Sequence, residues 1–145
     1  MLNVADIMTR EPYTLGPDDS LTDARNLMAQ HHVRHVPVVS SEGTILGLVS
    51  HRDVLAASDS SVLSQGETGK EAYVALSSIM TSPVKTVDER DSLRGTAQRM
   101  QQERIGCLPV TRKGDLVGII SDSDFVAVAV HLMEQLELSE PEEDF

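Results

Sequence analysis

Two stretches of this chain hold polar residues at a spacing that suits chemistry. They are Gly47-Leu48-Val49-Ser50-His51-Arg52-Asp53 and Gly118-Ile119-Ile120-Ser121-Asp122-Ser123-Asp124. Each Ser closes an apolar, strand-like run and opens a helical one. At such a junction free backbone N–H groups and the positive end of the helix dipole favour a phosphate. The Ser hydroxyl can donate to the same phosphate. An Asp one turn later can accept two hydrogen bonds from the 2′- and 3′-hydroxyls of a ribose. Ser-x-x-Asp is also the spacing of a capping box, which stabilises a helix start by about 0.5–2 kcal/mol with no ligand involved. Spacing alone leaves both roles open.

Other candidates are weaker. His31 and His35 lie four apart with His32 between them, but no acid or Cys sits close enough to complete a metal site. They read as the end of a surface helix near His32, where the dipole favours His. Cys107, the single cysteine, excludes a disulfide framework and reads as a small buried residue before a strand. There is no Ser-His-Asp order, paired-carboxylate motif, Walker loop or dinucleotide glycine fingerprint, so the chain is not expected to be an enzyme.

The elements that carry these motifs occur twice. Ile7-Met8-Thr9 returns as Ile79-Met80-Thr81, Asp19-Ser20-Leu21 as Asp91-Ser92-Leu93, Met28 as Met100, and Val36-Pro37-Val38 as Leu108-Pro109-Val110, all at an offset of 72. After a one-residue deletion Gly43, Gly47, Ser50 and Asp53 match Gly114, Gly118, Ser121 and Asp124 at 71. The chain is two copies of a unit of about 60 residues.

Each copy reads strand, helix, strand, strand, helix. Pro12–Leu15 and Val84–Val87 are short extended pieces. Ser20 and Asp23 form a capping box ahead of a stripe at Leu21, Ala24, Leu27 and Met28; Leu93, Ala97 and Met100 repeat the stripe. Val36–Val39 and Ile45–Val49 flank a turn at Gly43, and Leu108–Thr111 and Leu116–Ile120 flank one at Gly114. Pro37 and Pro109 are expected at a strand start or edge, because proline cannot donate to the ladder. A short helix follows Ser50 and a long one Ser121. Phe125, Ala129, Leu132, Met133 and Leu136 stripe the long one, either for its own sheet or for a dimer face. Residues 58 to about 70 are rich in Ser, Gly and charge and read as an exposed linker. Residues 134–145 hold six acids and no base and read as a frayed acidic tail.

Twelve Lys and Arg against 23 Asp and Glu give the 145 residues a net charge of -11, which argues against direct nucleic-acid binding. Aromatics make up 3% and Trp is absent, so the core must be aliphatic. With no apolar run long enough to span a bilayer and no signal-peptide pattern, no membrane association and a cytoplasmic location are expected.

The order and duplication of these motifs resemble a tandem pair of cystathionine-beta-synthase (CBS) domains, a stand-alone Bateman module, over residues 4–133. The resemblance implies an α/β (α+β) fold of two β-α-β-β-α repeats packed about a pseudo-twofold axis. Residues 1–60 would form the first CBS domain, 61–73 a linker, 74–133 the second domain and 134–145 the tail. In such domains the Ser or Thr and the Asp commonly bind phosphate and ribose. The resemblance implies one cleft in which Asp124, Ser121 and Ser123 face Thr9, Tyr13, Val33 and Arg34. It implies a second in which Asp53 and Ser50 face Thr81, Val84, Ile105 and Gly106. Since Gly106 stands for the Arg and Val84 for the Tyr, the Asp124 cleft ranks first. The implied function is a regulatory module that binds an adenosine-containing ligand: AMP, ADP or ATP first, with S-adenosylmethionine or NAD using the same grips, and with no required cofactor. A homodimer through the final helix and an effector protein are the implied partners. A ligand-independent scaffold and a transcription-linked regulator acting through partners are the rival readings.

Overall fold

The capping boxes start the helices they were read from. In this computed structural model, which describes residues 1–64 and 73–140, α1 (Val4–Ile7) and β1 (Thr9–Arg10) lead into α2 (Leu21–His31). At the head of α2 the Ser20 Oγ accepts from the Asp23 N–H at 3.1 Å, and Asp23 accepts from the Ser20 N–H at 3.0 Å. Leu21, Ala24 and Met28 are buried, and the helix stops at His32 in the left-handed region, φ 55°. Its counterpart α4 (Leu93–Glu103) stops likewise at Arg104, φ 56°. There the buried stripe runs through Thr96 rather than Ala97, and the Thr96 hydroxyl is satisfied by the Ser92 carbonyl at 2.8 Å.

The hairpins form as read: β2 (His35–Val39) with β3 (Ile45–Ser50), and β5 (Cys107–Arg112) with β6 (Asp115–Ser121). Gly43 and Gly114 hold the turns at φ 88° and 86°, which a side chain disfavours. The first strands are shorter than expected. Pro12–Leu15 contributes a single parallel bridge from Leu15 to Val38, and its equivalent β4 is only Val87–Asp88. Pro109 sits third in β5, an interior strand of the sheet β1-β6-β5-β4, not at an edge. β4 pairs only with Val110 and Thr111, so the missing proline donor falls where no strand runs beside it.

The helices after the hairpins are longer than expected. α3 (His51–Ser64) takes in residues 58–64 of the anticipated linker, and residues 65–72 lie outside the described residues. α5 (Asp122–Ser139) carries helix into the anticipated tail, of which residues 141–145 are not described. Among the described residues no helix is long and apolar enough to cross a membrane.

The decisive feature is a reciprocal exchange. Val4 and Met8, from the start of the chain, are buried with Val87, Leu93, Met100, Leu108, Val110 and Ile120 of the second repeat. Leu76, in a 3-10 turn (Leu76–Ser78), is buried with Leu21, Met28, Val36, Val38, Val49 and Val54 of the first. Backbone bonds repeat the pattern: Val4 N–H donates to Asp91 O at 2.9 Å, and Leu76 N–H donates to Asp19 O at 2.9 Å. Each repeat lends its leading segment to the other's core, in both directions, as a pseudo-twofold arrangement requires.

Candidate ligand-binding clefts

The exchange decides where the polar residues meet. β1 pairs antiparallel with β6, Thr9 opposite Ile119 and Arg10 opposite Gly118. On the other side Thr81 and Leu48 exchange both backbone bonds, at 2.9 and 3.2 Å. A Cβ on Gly118 would lie 2.7 Å from Met8 Sδ and 2.9 Å from Thr9 O; one on Gly47 would lie 2.5 Å from Met80 Sδ and 2.9 Å from Thr81 O. The glycine that opens each Gly-x-x-Ser-x-x-Asp motif is thus the seat of the other repeat's Met-Thr.

The Thr carried in by each exchange lines the cleft of the opposite Asp. Thr9 Oγ1 donates to Asp124 Oδ1 at 3.3 Å. The other oxygen, Asp124 Oδ2, accepts from the Ser121 N–H at 2.8 Å and from Ser121 Oγ at 3.2 Å, and the Ser121 and Ser123 hydroxyls are bonded at 2.8 Å. In the first repeat Asp53 Oδ2 accepts from the Ser50 N–H at 2.9 Å, and the Asp53 N–H donates to Ser50 Oγ at 3.1 Å. Both motifs therefore cap their helices, and both caps occupy only Oδ2. A carboxylate has about four lone-pair sites, so capping leaves acceptors over.

The two clefts have volumes of about 370 and 460 Å³, within the range for small-molecule sites. The smaller brings together Thr9, Val33, Arg34, Ser121, Ser123 and Asp124. The larger brings together Ser50, Asp53, Thr81, Val84, Ile105 and Gly106. Tyr13 is not on the wall. Its ring stacks on His31, centroids 3.8 Å apart and planes at 15°. At the offset of 72 its counterpart is Lys85, not Val84, and Lys85 pairs with Glu103, the counterpart of His31, at 2.7 Å. One joint in the fold is thus closed by an aromatic stack in the first repeat and by an ion pair in the second. The hydrogen bond from Lys85, then that from Arg99, holds the Glu103 carboxyl below the usual range.

Several wall residues escaped the sequence reading. His35 and Cys107, 72 apart, each line both clefts. Burial pushes the Cys107 thiol far above its ordinary range, with Asp124 and Asp122 adding to the effect, so it is an inert wall. Burial pushes His35 below the usual imidazole range, against the opposing pull of Asp122 and Asp53, with Arg34 adding to the lowering. Arg52, Lys85 and Arg104 also line the Asp53 cleft, and Asp122 lines the Asp124 cleft. The signal for Arg52 and Asp122 lay inside the motif, where Ser-His-Arg-Asp in one repeat becomes Ser-Asp-Ser-Asp in the other.

Paired repeats with exchanged leading segments and clefts between them define a class, the CBS-domain pair. The CBS domain profile matches residues 4–60 and 76–131, and the chain belongs to that family. It is 30% identical over 124 residues to the CBS domain-containing protein YhcV of Bacillus subtilis, covering 86% of this chain and 83% of that one. It spans 24% of a homoserine O-acetyltransferase of Methanocorpusculum labreanum, at 33% identity over 96% of this chain. A crystal structure of AcuB from Vibrio cholerae, provisionally called an acetoin utilization protein, superposes with a TM-score of 0.85 at 43% identity, covering 94% of this chain and 98% of that one. The CBS domain pair of protein MJ0100, crystallised with 5′-methylthioadenosine and S-adenosyl-L-methionine, superposes with a TM-score of 0.74 at 25% identity, covering 88% and 99%.

Proposed function

We propose that the chain is a regulatory module that binds an adenosine-containing ligand between its repeats and passes that state to a partner protein, with no catalysis of its own. One observation carries the reading: each cap Asp spends only Oδ2 on its helix and shares its cleft with the Thr of the opposite repeat, Asp124 Oδ1 accepting from Thr9 itself. Oδ1 then accepts from the ribose hydroxyls, and the helix start and its Ser meet the phosphate. The ligand pair of MJ0100 is of the same chemical class. AMP, ADP and ATP head the candidates, followed by S-adenosylmethionine. A melting-temperature panel tests it. A ligand at 100 times its Kd adds about 2.7 kcal/mol, several degrees for a domain of this size. Ribonucleotides should raise the Tm and dideoxy analogues should not; equal shifts would remove the Asp roles.

The reading includes a homodimer through α5. Phe125 packs on the core of the second repeat, but Val126, Leu132, Met133 and Leu136 beyond it are 56–65% exposed. A run of large apolar side chains on one solvent-facing helix is the mark of an interface. Met133→Glu should shift sedimentation toward monomer while leaving the Tm of the monomer intact. A wild type that is monomeric at high micromolar concentration would end the idea.

A further inference from the structure

His35 and Cys107 hold the same place in the two repeats, as the first residues of β2 and β5. In register His35 lies opposite Ser50 and Cys107 opposite Ser121, the Ser that opens each cleft's helix. Each of the two also lines the cleft of the other repeat. Duplication has therefore placed one pair of equivalent residues on both clefts. Only the imidazole of that pair can change charge near neutral pH, since burial keeps the Cys107 thiol protonated.

The charges around His35 come from both repeats. Asp53, in the first turn of α3, and Asp122, at the start of α5, each favour its protonated form. Asp124 lines one of the same cavities. Arg34, the residue before it, opposes a proton. Arg52, Lys85 and Arg104 line its other cavity, with Lys85 already paired to Glu103, and His32 and His51 are exposed on the rims. Loss of water outweighs the acids and, with Arg34, holds the half-buried imidazole below its ordinary range, so it is mostly neutral at pH 7. One more negative charge beside it shifts that balance toward the imidazolium, and a half-buried pair is screened less than a surface one. Because His35 borders both clefts, a proton taken up for an anion in one is already in place for an anion in the other. Linkage makes the effect mutual: an anion that raises the proton affinity of His35 is itself bound more tightly as pH falls.

We infer that His35 is a proton-accepting wall residue shared by the two clefts: it takes up a proton when an anion occupies either one, and so couples the filling of one to the filling of the other. That the anion carries adenosine rests on the reading above; the shared proton does not.

NMR titration of the His35 ring in the whole chain tests the sharing with no ligand added. Its midpoint should lie below 6.5, and it should fall further in Asp53→Asn and, separately, in Asp122→Asn. A midpoint that responds to one acid only, or to neither, overturns the inference. The titration is then repeated with AMP and, in parallel, with sodium sulfate, an anion that does not titrate in this range, each against sodium chloride of equal ionic strength. The midpoint should rise with AMP. Calorimetry should find AMP bound about 3- to 10-fold more tightly at pH 6 than at pH 8, after dividing out the pH dependence that remains in His35→Gln. A rise with sulfate but not with AMP defeats the adenosine reading and leaves the shared proton standing. A midpoint that neither anion moves, or an AMP pH dependence equal in wild type and His35→Gln, overturns the inference.

Discussion

The Asp53 and Asp124 clefts share a backbone and oppose each other in charge. Both have a Gly against which the other repeat's Met-Thr lies, a capping Ser, and an Asp that holds the Ser N–H on Oδ2. The residues between Ser and Asp then diverge: His51 and Arg52 in one, Asp122 and Ser123 in the other. The residue at the end of the preceding helix is Arg104 on the Asp53 wall and its counterpart His32 on the Asp124 wall. Duplication has left every atom that the fold needs in place at both sites, and the electrostatics has been written separately at each. A ranking based on Arg34 and Tyr13 alone favours the Asp124 cleft. With Tyr13 stacked away on His31, and with Arg52, Lys85 and Arg104 on one wall against Arg34 beside Asp122 and Asp124 on the other, the cationic cleft is that of Asp53.

The largest expected effect breaks that comparison at the carboxylates. Asn can keep the cap through its Oδ1 but loses the charge and an acceptor. Asp53→Asn should therefore weaken ATP binding by about 1.5–3 kcal/mol, and Asp124→Asn should weaken it by less than about 1 kcal/mol. Neither should cost more than about 1 kcal/mol of folding stability. Calorimetry that returns the opposite order would mean that charge does not assign the phosphate chain to the Asp53 side.

The next effect addresses what the clefts have in common. Gly47→Ala and Gly118→Ala each force a Cβ to within 2.9 Å of a backbone carbonyl, as well as against a Met sulfur. Overpacking of this kind costs about 1–3 kcal/mol, and chemical denaturation should find similar losses at both. A loss at one site only would show that the exchange is tight on one side and slack on the other.

The smallest effect distinguishes the two wall residues shared by both clefts. His35 titrates below its ordinary value of 6.5 in the fold, so the unfolded chain binds more protons just below that pH. Stability from this group is complete above the unfolded pKa and is lost as pH falls toward the folded one. The Tm should therefore drop between about pH 7 and pH 5, and His35→Gln should reduce the drop. Cys107→Ala should leave the pH slope alone, since that thiol stays protonated throughout. An unchanged slope in His35→Gln would show that other groups set it.

Much of the fold was legible because it is local. The Ser20 cap, the α2 stripe and the two Gly turns each declare themselves within a few residues, and the repeat supports the stripe and the turns with their copies. The same is true of the cleft Ser, Asp and Thr positions, once the family resemblance pairs one repeat's Thr with the other's Asp. What stayed hidden depends on contacts far along the chain. Pro109 reads as an edge residue until β4 pairs beside β5, and it is tolerated there because β4 is only two residues long. Tyr13 is placed on the Asp124 cleft by the resemblance, until His31 arrives beside it through the end of α2. Arg104 carries no signal in the sequence, because its place on a cleft wall follows from how the second repeat meets the first.

The exchange of leading segments also bears on how the chain must fold. Val4 is buried with Leu108 and Ile120, more than a hundred residues away, and Leu76 closes a core whose other members begin at Leu21. Each core is completed only when the other repeat's leading segment has been brought across, so half of the molecule has little to gain by ordering alone. Contacts of such long sequence separation slow folding, and they should tie the two repeats into one cooperative unit, seen as a single unfolding transition in a thermal melt. Occupying either cleft then stabilises the whole chain, and the two repeats hold or fail together.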